Sequence, residues 1–424
     1  MRYSAQVLGL ILLVVVSSHA GLARGQGYGS DLQNVMGPAS GGMAGVSTAR
    51  PQDVPSAIFG NPATLAQFEG TQFTLGGGWI EGYPTVTNDG SLNQVSPGTP
   101  FSATSRTQGG VASEIGVAQD LRSIGLPGTM GMGLAGLSNL GDEYRGRVPE
   151  SSQFLNDLNN ESAAYMILGL NMGAGFQLTD RLSVGATMTL GTGFEQLAFI
   201  GPVTSSAMVN AYALRGTVGV AYDLNDCNTV GFYYESKMGF DFPNAIRVGT
   251  NYQDIKIAQP TTFGLGIANR SLMDGNLLIA ADVYYKLWED AALWQDVWLN
   301  QWALAIGTQL TRGKMKYRLG YSWNSNPTNH EVGTSFDGIP VSRDQLQFYQ
   351  AAIIPAVNQN RITGGIGRQD FLFPGMDLDL FAGGMLPASD NFGPHNSASL
   401  AVYYIGMGMT WHFDSCKPHG DTEK

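Results

Sequence analysis

The sequence has few of the groups that carry chemistry. Charged residues make up only 13% of its 424 residues, with five histidines and two cysteines. His330 and His395 fall in stretches read below as loops, and two histidines without a placed carboxylate do not make a metal site. The cluster Gly364-Gly365-Ile366-Gly367 has no helix after it, so it is not a nucleotide loop. No catalytic residue, no metal and no cofactor are expected. Basic runs are missing and the net charge is −11, which argues against a nucleic-acid partner, because phosphates need a basic face to neutralise them. Past the N-terminus there is no apolar run of the roughly 18 residues a membrane helix requires.

What is present is glycine, at 57 residues, in a chain that is 43% hydrophobic and 10% aromatic. That excludes disorder and fits many strands joined by tight turns. The N-terminus has a positive Arg2, an apolar core from Val7 to Val16, and small-x-small sites at Ser18-His19-Ala20 and Gly21-Leu22-Ala23. It reads as a secretory signal peptide over 1–23, so the protein is expected to be exported.

Period-two alternation runs through the rest. Leu277, Ile279, Ala281, Val283, Tyr285 and Leu287 share one face of a strand, with Asp282, Tyr284 and Lys286 on the other. Met315 to Trp323 and Tyr403 to Phe413 repeat the pattern. Fourteen such segments can be marked: 71–80, 109–121, 128–138, 164–179, 181–198, 209–224, 228–242, 256–270, 277–289, 299–312, 314–325, 359–371, 377–388 and 398–413. Many exceed the five or six residues of ordinary strands and suit a tilted membrane strand of about 9–11 residues. Short connections follow the even segments and longer ones the odd segments, the largest at 81–108, 139–163 and 326–358. Trp302, Trp323 and Trp411 stand toward segment ends, where interfacial girdles form. The pattern predicts an all-β fold, a 14-stranded antiparallel transmembrane β-barrel in the bacterial outer membrane, with lipid against its apolar face. Arg215, Asp282, Lys316, Arg318, Asp377 and Asp379 would line the lumen and pair across it. Cys227 and Cys416 fall on opposite sides of such a barrel and are expected to be free thiols.

Between the signal and the first strand lie Gly41-Gly42-Met43-Ala44-Gly45-Val46 and then Gly60-Asn61-Pro62-Ala63. This order resembles the N-terminal hatch of the FadL/TodX family of outer-membrane transporters for long-chain fatty acids and other hydrophobic compounds. Leu137-Ser138-Asn139-Leu140-Gly141-Asp142, Gln259-Pro260-Thr261-Thr262-Phe263-Gly264 and Arg361-Ile362-Thr363-Gly364-Gly365 are similar to further family segments, in family order. The resemblance implies a hatch over 24–70 carrying Gly41, Gly42, Gly45, Asn61, Pro62 and Ala63 and a barrel over 71–413; the residues past Phe413, where barrels usually end on an aromatic, depart from it and are read as a periplasmic tail over 414–424. It implies a hydrophobic small-molecule ligand, a monomer in outer-membrane lipid, and no enzyme activity. It also implies a lateral exit at a kinked third strand, where Gly128, Gly131, Gly133 and Gly136 cluster. The third and fourth loops, read as 199–208 and 243–255, are shorter than the family's outer ligand groove requires. A general porin or a structural or adhesive barrel are the alternatives.

Overall fold

Small and polar side chains alternate with large apolar ones along each strand, so only one face of each strand suits hydrocarbon. Closure into a barrel is how such a sheet satisfies its backbone without edges. The computed structural model describes residues 36–91, 98–107, 109–147, 162–196, 203–205 and 207–413. The expected signal peptide at 1–23, the beginning of the expected hatch at 24–35 and the tail with Cys416 lie outside the described residues.

Fourteen antiparallel strands close on themselves. They are β1 Thr71–Gly82, β2 Gly110–Asp120, β3 Gly128–Glu143, β4 Ser162–Gln177, β5 Leu182–Gln196, β6 Val209–Asn225 and β7 Asn228–Glu235, then β8 Thr261–Leu272, β9 Leu277–Leu287, β10 Gln301–Arg312, β11 Met315–Asn324, β12 Asn360–Arg368, β13 Met376–Phe392 and β14 Asn396–His412. Each pairs with its successor, and β14 returns to β1 through a ladder from Gln72↔His412 to Gly82↔Val402. The outer face is apolar: Leu319 is 62% exposed and Ile405 64%. A continuous exposed apolar band of this kind is the surface of a membrane barrel. Aromatic pairs mark both rims, Phe73 with Trp411 at 5.5 Å at one end and Tyr285 with Trp302 at 4.5 Å at the other.

Even strands are followed by short turns, as at Gly313-Lys314, and most odd strands by long loops. The seventh connection departs from this expectation. β13 and β14 run on until only residues 393–395 join them, and a loop-1 hairpin, Thr85–Asn88 with Phe101–Thr104, adds to the projecting edge of β14. The fourth loop is also corrected. β7 ends at Glu235 and β8 begins at Thr261, so residues 236–260 form a loop longer than expected. Its strands Met238–Val248 and Asn251–Gln259 make a separate hairpin. Phe240, Phe242, Ile255 and Ile257 alternate as barrel residues do, which is why the sequence reads as continuous there.

That hairpin packs with the fifth loop and with a helix in the sixth, α2 Arg343–Ala352, which follows the short luminal helix α1 Val54–Phe59 in chain order. α2 starts at a capping box, in which Ser342 and Gln345 satisfy each other's backbone N–H. Trp294 stacks on Trp298 at 4.4 Å, Trp288 meets Trp298 edge-on at 4.8 Å, and Tyr144 Oη donates to Ala352 O at 3.1 Å. Each fully buried phenylalanine here, Phe240, Phe242 and Phe348, contributes about 1.5–3 kcal/mol. Together these loops form an ordered apolar cap at the long-loop rim.

Candidate functional site

The N-terminal segment is organised by carboxylates and glycines. Asp53 caps α1 through Ser56 N and also accepts Ala39 N and Ser40 N, at 2.9–3.0 Å. Gly41 and Gly42 lie in the turn Ser40–Met43, and Gly45 takes a left-handed φ of 80°. Val54, Ile58 and Leu65 are fully buried.

Among the described residues, the segment is held to inward-facing barrel residues by scattered hydrogen bonds, with no strand pairing. Asp282 Oδ2 on β9 accepts Ser47 N at 2.8 Å, Thr48 N at 3.0 Å and Thr48 Oγ1 at 2.9 Å, and Tyr284 Oη donates to it at 2.7 Å. Thr363 Oγ1 on β12 accepts Ala44 N, and Arg361 donates to Ala44 O. Asn61 Nδ2 donates to Thr48 O and to Val220 O of β6, while its Oδ1 caps the turn Pro62–Gln67 by accepting Ala63 N. Asn171 of β4 donates to Ile58 O. Inward-facing glycines let the segment approach the wall. A Cβ on Gly185 would strike Pro62 and Ala63, and Gly42 faces Gly365 of β12 with only backbone between them. Ser47, Thr48 and Asn171 were not singled out in the sequence, because a lone polar residue facing inward is indistinguishable there from a solvated one.

The expected lumen charges are all inward, but they do not pair across the lumen. Arg215 reaches Glu235 on the adjacent strand at 2.6 Å. Lys316 reaches Asp377 at 3.7 Å, and Arg318 reaches Asp379 at 2.5 Å, both over β12. Gly367 of β12 makes this possible, since a side chain there would collide with Asp379 and Arg318. With the N-terminal segment filling the barrel, the shortest path between opposite charges runs along the wall. His330 pairs with Asp390 and His395 with Asp89, so the two histidines do not share one site. Cys227 is a free thiol.

β3 carries the main irregularity of the wall. Its ladder with β2 runs from Asp120↔Thr129 to Glu114↔Ala135 and stops. β2 continues to Gly110, paired only with β1, and β3 continues to Glu143, paired only with β4. A register shift at Gly136/Ser138 places Leu137 out of sequence with β4, and from Ser138 onward β3 is buried on both faces. Above the break, Arg106 N donates to Glu143 O at 2.7 Å and closes the frame. The wall thus has a bounded window without inter-strand hydrogen bonds, edged by 110–113 and 136–142. Glu114 Oε2 and Asn139 Oδ1 beside it are buried without a hydrogen-bond partner. Of the four expected glycines, Gly136 stands at the break. Gly128, Gly131 and Gly133 lie in the paired part below it. Gly131 and Gly133 make room instead: a Cβ on either would come within 2.9 Å of Ile58 and Leu65, or of Phe59.

Comparison with family profiles finds no match, and comparison with curated protein sequences finds none either. Solved structures do match. The P. putida toluene transporter TodX is 18% identical, with a TM-score of 0.64 over 89% of this chain and 98% of that one. A Pseudomonas aeruginosa FadL homologue is 14% identical at a TM-score of 0.65, over 89% and 98%. The Ralstonia pickettii toluene transporter TbuX is 16% identical at 0.59, over 89% and 98%. The chain shares the fold of these barrels.

Proposed function

We propose that this chain is an outer-membrane uptake channel for small hydrophobic compounds, of the class of long-chain fatty acids and aromatic hydrocarbons. In this reading the N-terminal segment serves as a hatch, and the ligand leaves sideways through the window between β2 and β3. The short-turn rim then faces the periplasm and the capped rim the outside. The window carries the proposal. A hydrophobe leaving downward enters water at a cost of about 0.8 kcal/mol per methylene, whereas a sideways exit delivers it to hydrocarbon. An ordinary ladder would forbid that route, and here the ladder is interrupted on one side only. The likeness of fold to proteins described as toluene transporters supports the same reading.

The test is to staple the window. A Cβ built on Gly136 lies 4.0 Å from Ala112 Cβ, close to disulfide geometry. In a Cys227→Ser, Cys416→Ser background, Ala112→Cys with Gly136→Cys should transport when reduced and stop when oxidised. Dithiothreitol should restore uptake. Unchanged uptake in a fully oxidised barrel would rule the lateral route out.

A further inference from the structure

A concavity lies at the opposite end of the barrel from the cap. It has a volume of about 290 Å³ and is walled by Arg50, Gln52, Phe68, Arg270, Leu278 and Gln309, among others. Its lining comes from the luminal segment, from the end of β8 and the β8–β9 turn, and from the lower ends of β9 and β10, so it opens at the short-turn rim.

The wall holds two arginines and no carboxylate among the described residues. Its carboxamides are already committed. Gln309 Nε2 donates to Gln52 Oε1 at 2.9 Å, and Gln309 Oε1 accepts Arg318 Nε at 2.7 Å. Gln52 Nε2 donates to Arg50 O, and Gln67 Nε2 to Ala49 O. Arg270 makes one long bond, from Nη2 to Asp226 O at 3.5 Å. The guanidinium groups are therefore what the pocket has left to offer a ligand. They line one cavity as like charges. Burial, and next the Arg270 charge, bring Arg50 down to about 10, against an opposing pull from Asp223. Arg50 stays protonated at neutral pH, so the cavity keeps two positive charges.

We propose that this pocket binds an oxyanion group, a carboxylate or a phosphate, entering from the short-turn rim between Arg50 and Arg270. Planar guanidinium forks match both groups, and Leu278 and Phe68 give a short apolar body a place to lie. The proposal does not depend on the transport reading, because it concerns the other end of the molecule and a polar ligand.

The full chain in non-ionic detergent at low ionic strength is titrated calorimetrically with inorganic phosphate, with hexanoate and with neutral hexanamide. At least one anion should bind saturably at one site per barrel while hexanamide does not, and the anion that binds identifies the group. R50Q/R270Q should weaken that binding by about tenfold or more. R50K, which keeps the charge and loses the fork, should fall between. If the double variant gives no folded barrel, R50Q alone serves, since that side chain is half-buried. Failure of both anions to saturate, or equal binding by the glutamine variant, would overturn the proposal.

Discussion

At the scale of single residues, Asp282 shows how the luminal segment is held. One oxygen collects two backbone N–H groups and two hydroxyls. Asp282→Ala leaves those donors buried without an acceptor, at roughly 1–3 kcal/mol for each one unmet. The barrel ladder does not involve the side chain, so the sheet should survive while the segment loosens. Limited proteolysis should cut within 36–70 in this variant, and Asp282→Asn, which keeps one acceptor, should be cut less. Equal resistance of all three proteins would show that the segment is held elsewhere. At the loop rim, His395 and Asp89 form a 2.7 Å clasp. The hydrogen bond that His395 donates to the Asp89 carboxylate raises the imidazole above its usual 6.5 and lowers Asp89 below 3.8. The raised histidine contributes below 6.5 and loses its contribution as pH rises through its higher folded value. The lowered aspartate contributes above 3.8 and loses its contribution as pH falls through its lower folded value. The clasp is closed between those two limits. NMR titration of His395 should give a midpoint above 6.5 that drops in Asp89→Asn; an unmoved midpoint would mean the pair is not formed in solution.

At the scale of elements, the barrel strands were legible because a tilted wall with lipid outside writes the same two-residue period into every strand. Leu319 and Ile405 sit mid-strand on that outer face. Leu319→Arg and Ile405→Arg should each lower unfolding stability in lipid by about 2–4 kcal/mol, with the serine variants well below that. Denaturant titration in bilayers would show the difference, and a cost no larger for arginine than for serine would place that face away from hydrocarbon. The loop hairpin at 238–259 was not legible, because Phe240 and Phe242 keep the barrel's period while packing under the cap instead of against lipid. Neither was α2, although Ser342 and Gln345 carry its capping signal; ten helical residues inside a long loop offer too little periodicity to stand out. In the candidate site, the motif around Asn61-Pro62-Ala63 was visible as a motif, but its partners were not. The break in β3 was placed among the glycines at 128–136, and pairing shows it at the top of that run, where Leu137 bulges.

At the scale of the whole molecule, the barrel wall and its contents are joined at the closing ladder. Gly76 of β1 and Gly408 of β14 are direct partners across that joint, and the Pro38 ring lies over both, where a side chain on either would strike it. β1 and β14 are the strands that meet last in sequence, and the piece resting on their junction belongs to the N-terminal segment. This has a consequence for biogenesis. A cylinder closed first would have to admit the segment through an end, whereas one still open at β1 and β14 can be laid around it. In that order of assembly the segment would serve as a mandrel on which the sheet is rolled, with Pro38 at the point where the roll is joined. Gly408→Val should leave the other thirteen pairings possible while slowing the step at which the band shifts to the compact, heat-modifiable form on electrophoresis. Pro38→Gly in the same chain should restore the rate, and a double variant as slow as the single one would show that the joint closes without reference to what lies inside.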